Sequence, residues 1–454
     1  MRNTKGKGEN DELRASHQRS LKGVTLPLVL ILPFVFSAWP HALTVRAQSR
    51  PGGTARVAED AAALLVRALE LLREGKFEEA EPLVRRALAK GKGNADAHAL
   101  LGVILDRRGH VREAEGEYRA ALRLKPGAVA PRANLGVLLA RAGRAAEAAV
   151  EFEAVLRAAP GHPQATFNLG LALFELKRYE EAAALLNTPE ALAQNAPEAL
   201  YRLGLISAAR GRAEEAAEFW QRALTLRESF PEVHFALAEE LRRQRRYEGA
   251  AEFYERAVGE DPGRLVYRVR LGGVLMLLSR FDRALEVFHE AAARFPESSE
   301  AHYFVGIAAR GRGDYEAAEA ALRRSLRLKP ESADALAQLG FVLGERGRDA
   351  EAERLLREAI GRDARHFYAN YDLGRLLIRG RRYEEALQVL EGAARVRASD
   401  PGVRYQMFLA LSRLGRKEEA GRELTLFKRL DEERKARRAG GVEEIEDVLP
   451  VPEN

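Results

Sequence analysis

LGVILDRRGHVREAEGEYRAALRLKP, residues 101–126, and LGVLLARAGRAAEAAVEFEAVLRAAP, residues 135–160, are two versions of one pattern. Each opens on Leu-Gly (Leu101-Gly102, Leu135-Gly136) and breaks at a second glycine (Gly109, Gly143). Each then places an alanine (Ala114, Ala148), a large apolar residue four positions later (Tyr118, Phe152) and a closing proline (Pro126, Pro160). A spacing of four keeps the alanine and the large residue on one helical face. The central glycine can take the left-handed conformation that stops a helix, and the proline ends the second helix before the next begins. The pattern therefore predicts two antiparallel helices joined by a tight turn.

Extending the frame in both directions shows one alanine every 34 residues: Ala80, Ala114, Ala148, Ala182, Ala216, Ala250, Ala284, Ala318, Ala352, Ala386 and Ala420. Twelve residues before eight of them lies a glycine: Gly102, Gly136, Gly170, Gly204, Gly272, Gly306, Gly340 and Gly374. Ala68, Ala238 and Phe408 hold the other three places. Four residues after the alanine stand Val84, Tyr118, Phe152, Leu186, Trp220, Tyr254, Phe288, Leu322, Leu356, Leu390 and Leu424. Breaks recur at Arg346-Gly347-Arg348 and Leu414-Gly415-Arg416, and closing prolines at Pro262, Pro296 and Pro330. Small residues in the two helices let the backbones approach, with Leu and aromatic side chains filling the flanks. Length alone would suggest about three domains; a repeat of this regularity replaces that count with a stack of hairpins.

This order of Leu-Gly, second-helix Ala, large apolar residue and closing Pro resembles the tetratricopeptide repeat, over roughly residues 61–434. The resemblance implies an all-α, right-handed superhelical solenoid of about eleven 34-residue helix-turn-helix repeats that binds other proteins, as peptide or helix segments, in a concave groove. The departures are local. Arg67 and Ala68 open the first unit, while Met407, Phe408 and Phe427 mark the last, as caps do. Pro189 interrupts the second helix of the fourth unit and predicts a kink or short loop before it, at Thr188. From Lys428 a charged helical extension leads to Ala439-Gly440-Gly441 and an acidic tail.

The net charge of +6 is unevenly spread, since residues 1–47 hold seven basic against three acidic side chains. That segment also carries VTLPLVLILPFVFSA, residues 24–38, and small residues around Val45-Arg46-Ala47. Basic flank, apolar run and small residues read as a secretory signal. Pro27, Pro33 and Pro40 interrupt a run already short of the about 20 residues a crossing needs; an uncleaved anchor, touching the membrane through residues 24–43, is the alternative. The expected organisation is a signal or anchor over 1–47, a linker over 48–60, the repeat array over 61–434 and a charged helix end and tail over 435–454. The chain is expected in the periplasm or cell envelope, or anchored in the cytoplasmic membrane.

Motifs of catalysis are missing. There is no phosphate-cradling GxxxxGK[ST], no HExxH and no GxSxG. The absence of cysteine removes disulfides, thiolate ligands and a thiol nucleophile. His98, His234 and His302 share a repeat position, but His234 and His302 lie two units apart, four helices at roughly 8–10 Å each, too far to share one ion at about 2 Å. Glu and Arg alternate on helix exteriors, as solvated faces do, and Arg242-Arg243 and Arg245-Arg246 read as helix C-terminal charge rather than a nucleic-acid patch. The sequence is thus expected to be non-enzymatic, with no cofactor, metal or nucleic acid.

Three residues before the repeat glycine stand Phe167, Tyr201, Phe235, Tyr303, Tyr371 and Tyr405, interrupted by Ala99, Ala133, Val269 and Ala337. The family resemblance places this position on the inner surface, where stacked units would align the rings along a groove as contacts for a partner. Inter-helix packing is the competing role. The Lys and Asn set of domains that clamp acidic C-terminal peptides is replaced by Ala99, Val103, Ala133 and Val137. Asn134 and Asn168 resemble the start of the asparagine ladder of sugar-transferase superhelices, but Arg202, Ala236 and Arg270 follow. The leading expectation is an envelope scaffold for protein partners. The alternatives are a targeting arm of an enzyme whose catalytic subunit is another chain, and a self-associating spacer.

Overall fold

The computed structural model describes residues 60–91 and 93–439. The signal or anchor at 1–47, the linker up to residue 59 and the acidic tail from 440 lie outside the described residues. Those described hold 22 helices and no strand, in two compact units, one ending at Ser229 and the other beginning at Phe230.

The first unit contains α1 (Ala61–Arg73), α2 (Phe77–Lys90), α3 (Ala95–Arg107), α4 (Val111–Leu124), α5 (Val129–Arg141), α6 (Ala145–Ala158), α7 (Pro163–Glu175), α8 (Tyr179–Leu186), α9 (Pro189–Ala209) and α10 (Ala213–Leu226). The second contains α11 (Pro231–Arg243), α12 (Tyr247–Glu260), α13 (Leu265–Leu277), α14 (Phe281–Arg294), α15 (Ser299–Arg312), α16 (Tyr315–Leu328), α17 (Ala333–Glu345), α18 (Asp349–Arg362), α19 (Phe367–Arg379), α20 (Tyr383–Val396), α21 (Pro401–Arg413) and α22 (Lys417–Ala439). Odd and even helices pair as hairpins, five in the first unit and six in the second. This is the all-α repeat architecture the sequence predicts.

Local chemistry sets the boundaries. Asn94 and Ser298 cap their helices by accepting from Ala97 N at 3.0 Å and Ala301 N at 3.2 Å. Within the hairpins Gly109, Gly347 and Gly415 stop the first helix at positive φ. Lys177, Arg245, Ser279 and Arg381 adopt the same left-handed conformation without being glycine. In the fourth hairpin α8 ends at Leu186, Thr188 accepts from Ala191 N at 3.3 Å to start a new helix at Pro189, and Asn195 leaves helical geometry at φ −162°. Pro189 therefore does interrupt the second helix, as its sequence position requires.

The repeat glycines differ from expectation in one respect. They admit a side chain more than a backbone: a Cβ on Gly102, Gly136, Gly272 or Gly374 would stand 2.7, 2.7, 2.3 or 2.6 Å from Tyr118, Phe152, Phe288 or Leu390. Each glycine is the floor on which the large residue sixteen positions later rests. The alanines at 80, 114, 148, 182, 216, 250, 284, 318, 352 and 386 have no exposed surface. Burying each large apolar side chain contributes about 1.5–3 kcal/mol, and the period places one such buried residue in each of the first ten hairpins.

Within each unit, first helices of successive hairpins touch (α3 with α5, α17 with α19, α19 with α21), whereas second helices of successive hairpins make no comparable contact. The first helices therefore lie side by side along one face of each unit, here called its inner side, which is where a binding surface is sought.

Candidate functional site

The first-helix aromatic register does not form an open ladder. Phe167 has no exposed surface, and Tyr201, Phe235 and Tyr303 are buried. Phe235 shows why: its ring lies 5.6 Å from Tyr254 on its own second helix and 4.9 Å from Tyr267 on the next first helix. The position falls at the junction of three helices, and a large ring there is enclosed by them. The expectation that these four rings face a ligand is corrected to inter-helix packing. Tyr371 is half-buried, stacked 6.0 Å from Phe367. Tyr405 alone of the six is exposed, against Phe408 at 6.1 Å and Phe427 at 5.2 Å on the last hairpin.

What the inner side offers is mostly polar. In the first unit Arg141 pairs with the buried Asp106. Arg202, itself buried, donates to Glu198 at 2.9 Å and lies 5.1 Å from the centre of the Phe174 ring. The Asn134 and Asn168 side chains are buried in the same column of the repeat.

The second unit holds a cavity of about 240 Å³ on this side, lined by Gly340, Phe341, Gly344 and Glu345 of α17, Leu356 of α18, Asp372, Arg375, Leu376, Ile378 and Arg379 of α19, and Gln406 of α21. Gly344 carries no side chain at a lining position where other first helices have Phe174, Arg242, Met276 or Ile378, whereas Gly340 is covered by Leu356 as the other repeat glycines are by their own large residues. The cavity's carboxylates are Asp372 and Glu345, each 3.5 Å from one end of the Arg375 guanidinium. Arg379 donates to Gly344 O at 2.9 Å and to Asp349 at 2.5 Å. Burial lifts the Asp372 carboxyl to about 6, against the lowering influence of Arg375 and Arg310. Arg310 reaches this face from α15, donating to Gln338 Oε1 at 2.6 Å and lying 5.1 Å from the centre of the Phe341 ring.

Sequence reading did not single out Asp372, Glu345 or Arg375. The signal was the column two residues before the repeat glycine. Followed beyond Arg270 it runs through Phe304 and Gln338 to Asp372 and Gln406, a change of chemistry on the inner side.

The histidines go separate ways. His98 Nδ1 lies 2.6 Å from Glu117 and His234 Nδ1 2.9 Å from Glu260, each within its own hairpin, while His302 Nε2 lies 3.0 Å from Pro296 O. Among the described residues no group of three or more His, Asp or Glu side chains is placed to hold a metal ion, and no helix is long and apolar enough to cross a membrane. Carboxylates and arginines join neighbouring hairpins instead: the buried Glu319 accepts from Arg346 at 2.5 Å and Arg348 at 2.6 Å in the next hairpin, as well as from Arg323 at 2.9 Å on its own helix.

Family profiles described as Tetratricopeptide repeat match residues 65–129, 133–188 and 197–230. The profile of the Cilia and flagella-associated protein 70 C-terminal domain matches residues 227–440. No curated protein matches the chain. Similar solved structures include the APC/C heterotetramer Cut9–Hcn1, at 11% identity over 82% of this chain and 93% of that chain, TM-score 0.43. Yeast Tom70 is similar at 15% identity over 83% and 96%, TM-score 0.35. MamA from Desulfovibrio magneticus RS-1 is similar at 20% identity over 38% and 97%, TM-score 0.35.

Proposed function

Because the chain belongs to the tetratricopeptide repeat family, we propose that it is a non-enzymatic scaffold that holds segments of partner proteins against the inner, first-helix side of its repeats. The observation that carries this reading is the cavity between α17, α19 and α21, on the side where successive first helices converge. A surface of this kind suits an extended peptide or a helix, whose side chains enter pockets at intervals while the scaffold stays fixed. The six first-helix aromatics take a revised part: Tyr371 and Tyr405 can meet a partner, and the four buried rings hold the helices that shape the surface.

The scaffold works outside the cytoplasm, in a bacterial-type envelope. The support is the basic flank and apolar run of residues 24–38. Crosslinking of the native complex in its own cell, followed by mass spectrometry, tests the scaffold reading. Crosslinks from partner proteins are expected on α17, α19 and α21; partners confined to the outer face of the second helices would overturn it. N-terminal sequencing is expected to find the mature chain beginning near Gln48, and an intact N-terminus on soluble cytoplasmic protein would overturn export.

A further inference from the structure

Asp372 is only 12% exposed at its side chain, and its ion-pair partner Arg375 stands at 3.5 Å. A charge-assisted hydrogen bond between such groups spans about 2.7–2.9 Å. The other end of the same guanidinium stands 3.5 Å from Glu345. One cation is thus shared between two carboxylates and is tightly bound to neither. Of the other nearby cations, Arg379 in the lining donates to Gly344 O and Asp349, and Arg310, outside the lining, donates to Gln338 and lies on the Phe341 ring while its charge still acts on Asp372. Gln406, the group facing the cavity from α21, is uncharged. The cavity therefore has more acceptor capacity than the surrounding side chains satisfy.

Its size and walls narrow the occupant. About 240 Å³ falls below the roughly 300–1,000 Å³ of sites for whole small molecules, and suits a single side chain. Phe341, Leu376 and Ile378 make part of the wall apolar. A long side chain with an apolar stem and a cationic head matches both halves of that lining.

We propose that this cavity receives a lysine or arginine side chain of a partner polypeptide, its stem against Phe341, Leu376 and Ile378 and its head between Asp372 and Glu345. The proposal rests on the scaffold reading above and adds the chemistry of one anchor point. Such a cation supplies close donors to the carboxylate oxygens that Arg375, 3.5 Å from each, reaches only at long range. Its retention weakens in acid, because the Asp372 carboxyl, lifted to about 6 by burial, becomes neutral. The other charged groups around Asp372 are Arg375, Arg379 and Glu345 in the lining and Arg310 beside it.

The test uses the full chain and four pools of labelled heptapeptides, acetylated and amidated at their ends, randomised except for a central Lys, Arg, norleucine or Glu. At about pH 7.5 the Lys and Arg pools are expected to bind about tenfold more tightly than the norleucine pool. Asp372→Asn and a shift to about pH 5 should each remove most of that preference. Norleucine or Glu pools that bind as well as Lys, or a preference that survives Asp372→Asn, would overturn the proposal while leaving the scaffold reading intact. Failure of all four pools to bind would count against both. Circular dichroism checks that the variant is folded, and Glu345→Gln, expected to lose part of the preference, carries the same test should Asp372→Asn unfold.

Discussion

Trp220 rests on the bare backbone of Gly204: a Cβ there would stand 2.2 Å from the indole nitrogen, and that nitrogen donates to Tyr201 O at 3.2 Å. The glycine, the indole and a first-helix carbonyl form one joint between α9 and α10. Gly204→Ala has to displace a rigid ring system and its hydrogen bond. It is expected to cost about 1–3 kcal/mol, more than Gly306→Ala, where the obstructing group is the smaller Leu322 side chain, which has no hydrogen bond to lose. Denaturant melts of the two variants check the order; equal costs would show that the ring is free to move aside.

The repeat alanines make a parallel case. Ala284 has no exposed surface, so Ala284→Leu is expected to cost about 1–3 kcal/mol by overpacking, with loss of hydrogen-exchange protection around residues 265–298 before the distant hairpins. Glu286→Gln removes an exposed partner of Arg283 and should stay within about 0.5 kcal/mol. Protection unchanged near Ala284 in the leucine variant would contradict the contact.

Burial of the aromatic register separates stability from binding. Tyr201→Ala, Phe235→Ala and Tyr303→Ala are each expected to lower stability by roughly 3–5 kcal/mol. Tyr405→Ala, at an exposed position, should cost far less. Thermal midpoints measured on the four variants decide it, and a small drop for Phe235→Ala would return that ring to the list of partner contacts.

Asp372 links stability to pH. Its folded-state value is raised from 3.8 to about 6, so the folded chain holds the proton more tightly than the unfolded one. That contribution is complete below about pH 4 and is lost as pH rises through about 6. Asp372→Asn removes the penalty of ionising a buried carboxyl and is expected to raise stability near pH 7 by on the order of 1–3 kcal/mol. The gain should vanish near pH 4. Wild-type and variant melts that stay parallel from pH 4 to 7 would deny the linkage.

Four turns carry a left-handed residue with a side chain, among them Lys177 at φ 59° and Ser279 at φ 57°. Replacing Ser279 by glycine is expected to stabilise the chain by about 0.5–1 kcal/mol, the relief of the Cβ clash less the added freedom of the unfolded glycine. A loss of stability on chemical denaturation would mean that the Ser279 side chain makes a contact worth more than its strain.

By itself the sequence determined the hairpin, its period and its turns, because these depend on residues close along the chain: Gly109 stops a helix, Ala114 and Tyr118 share one face, and Pro126 ends the next helix. It even located the irregular fourth hairpin at Pro189. Which first-helix side chains remain open was decided only by the tertiary structure. Phe235 and Tyr405 occupy the same place in the repeat, yet one is enclosed by Tyr254 and Tyr267 and the other is exposed on the last hairpin. The cavity likewise needs side chains from α17, α18, α19 and α21, and the carboxyl of Asp372 is raised by the burial that this packing creates. Such properties belong to neighbouring hairpins brought together in space, and the periodic signal of a single repeat does not contain them.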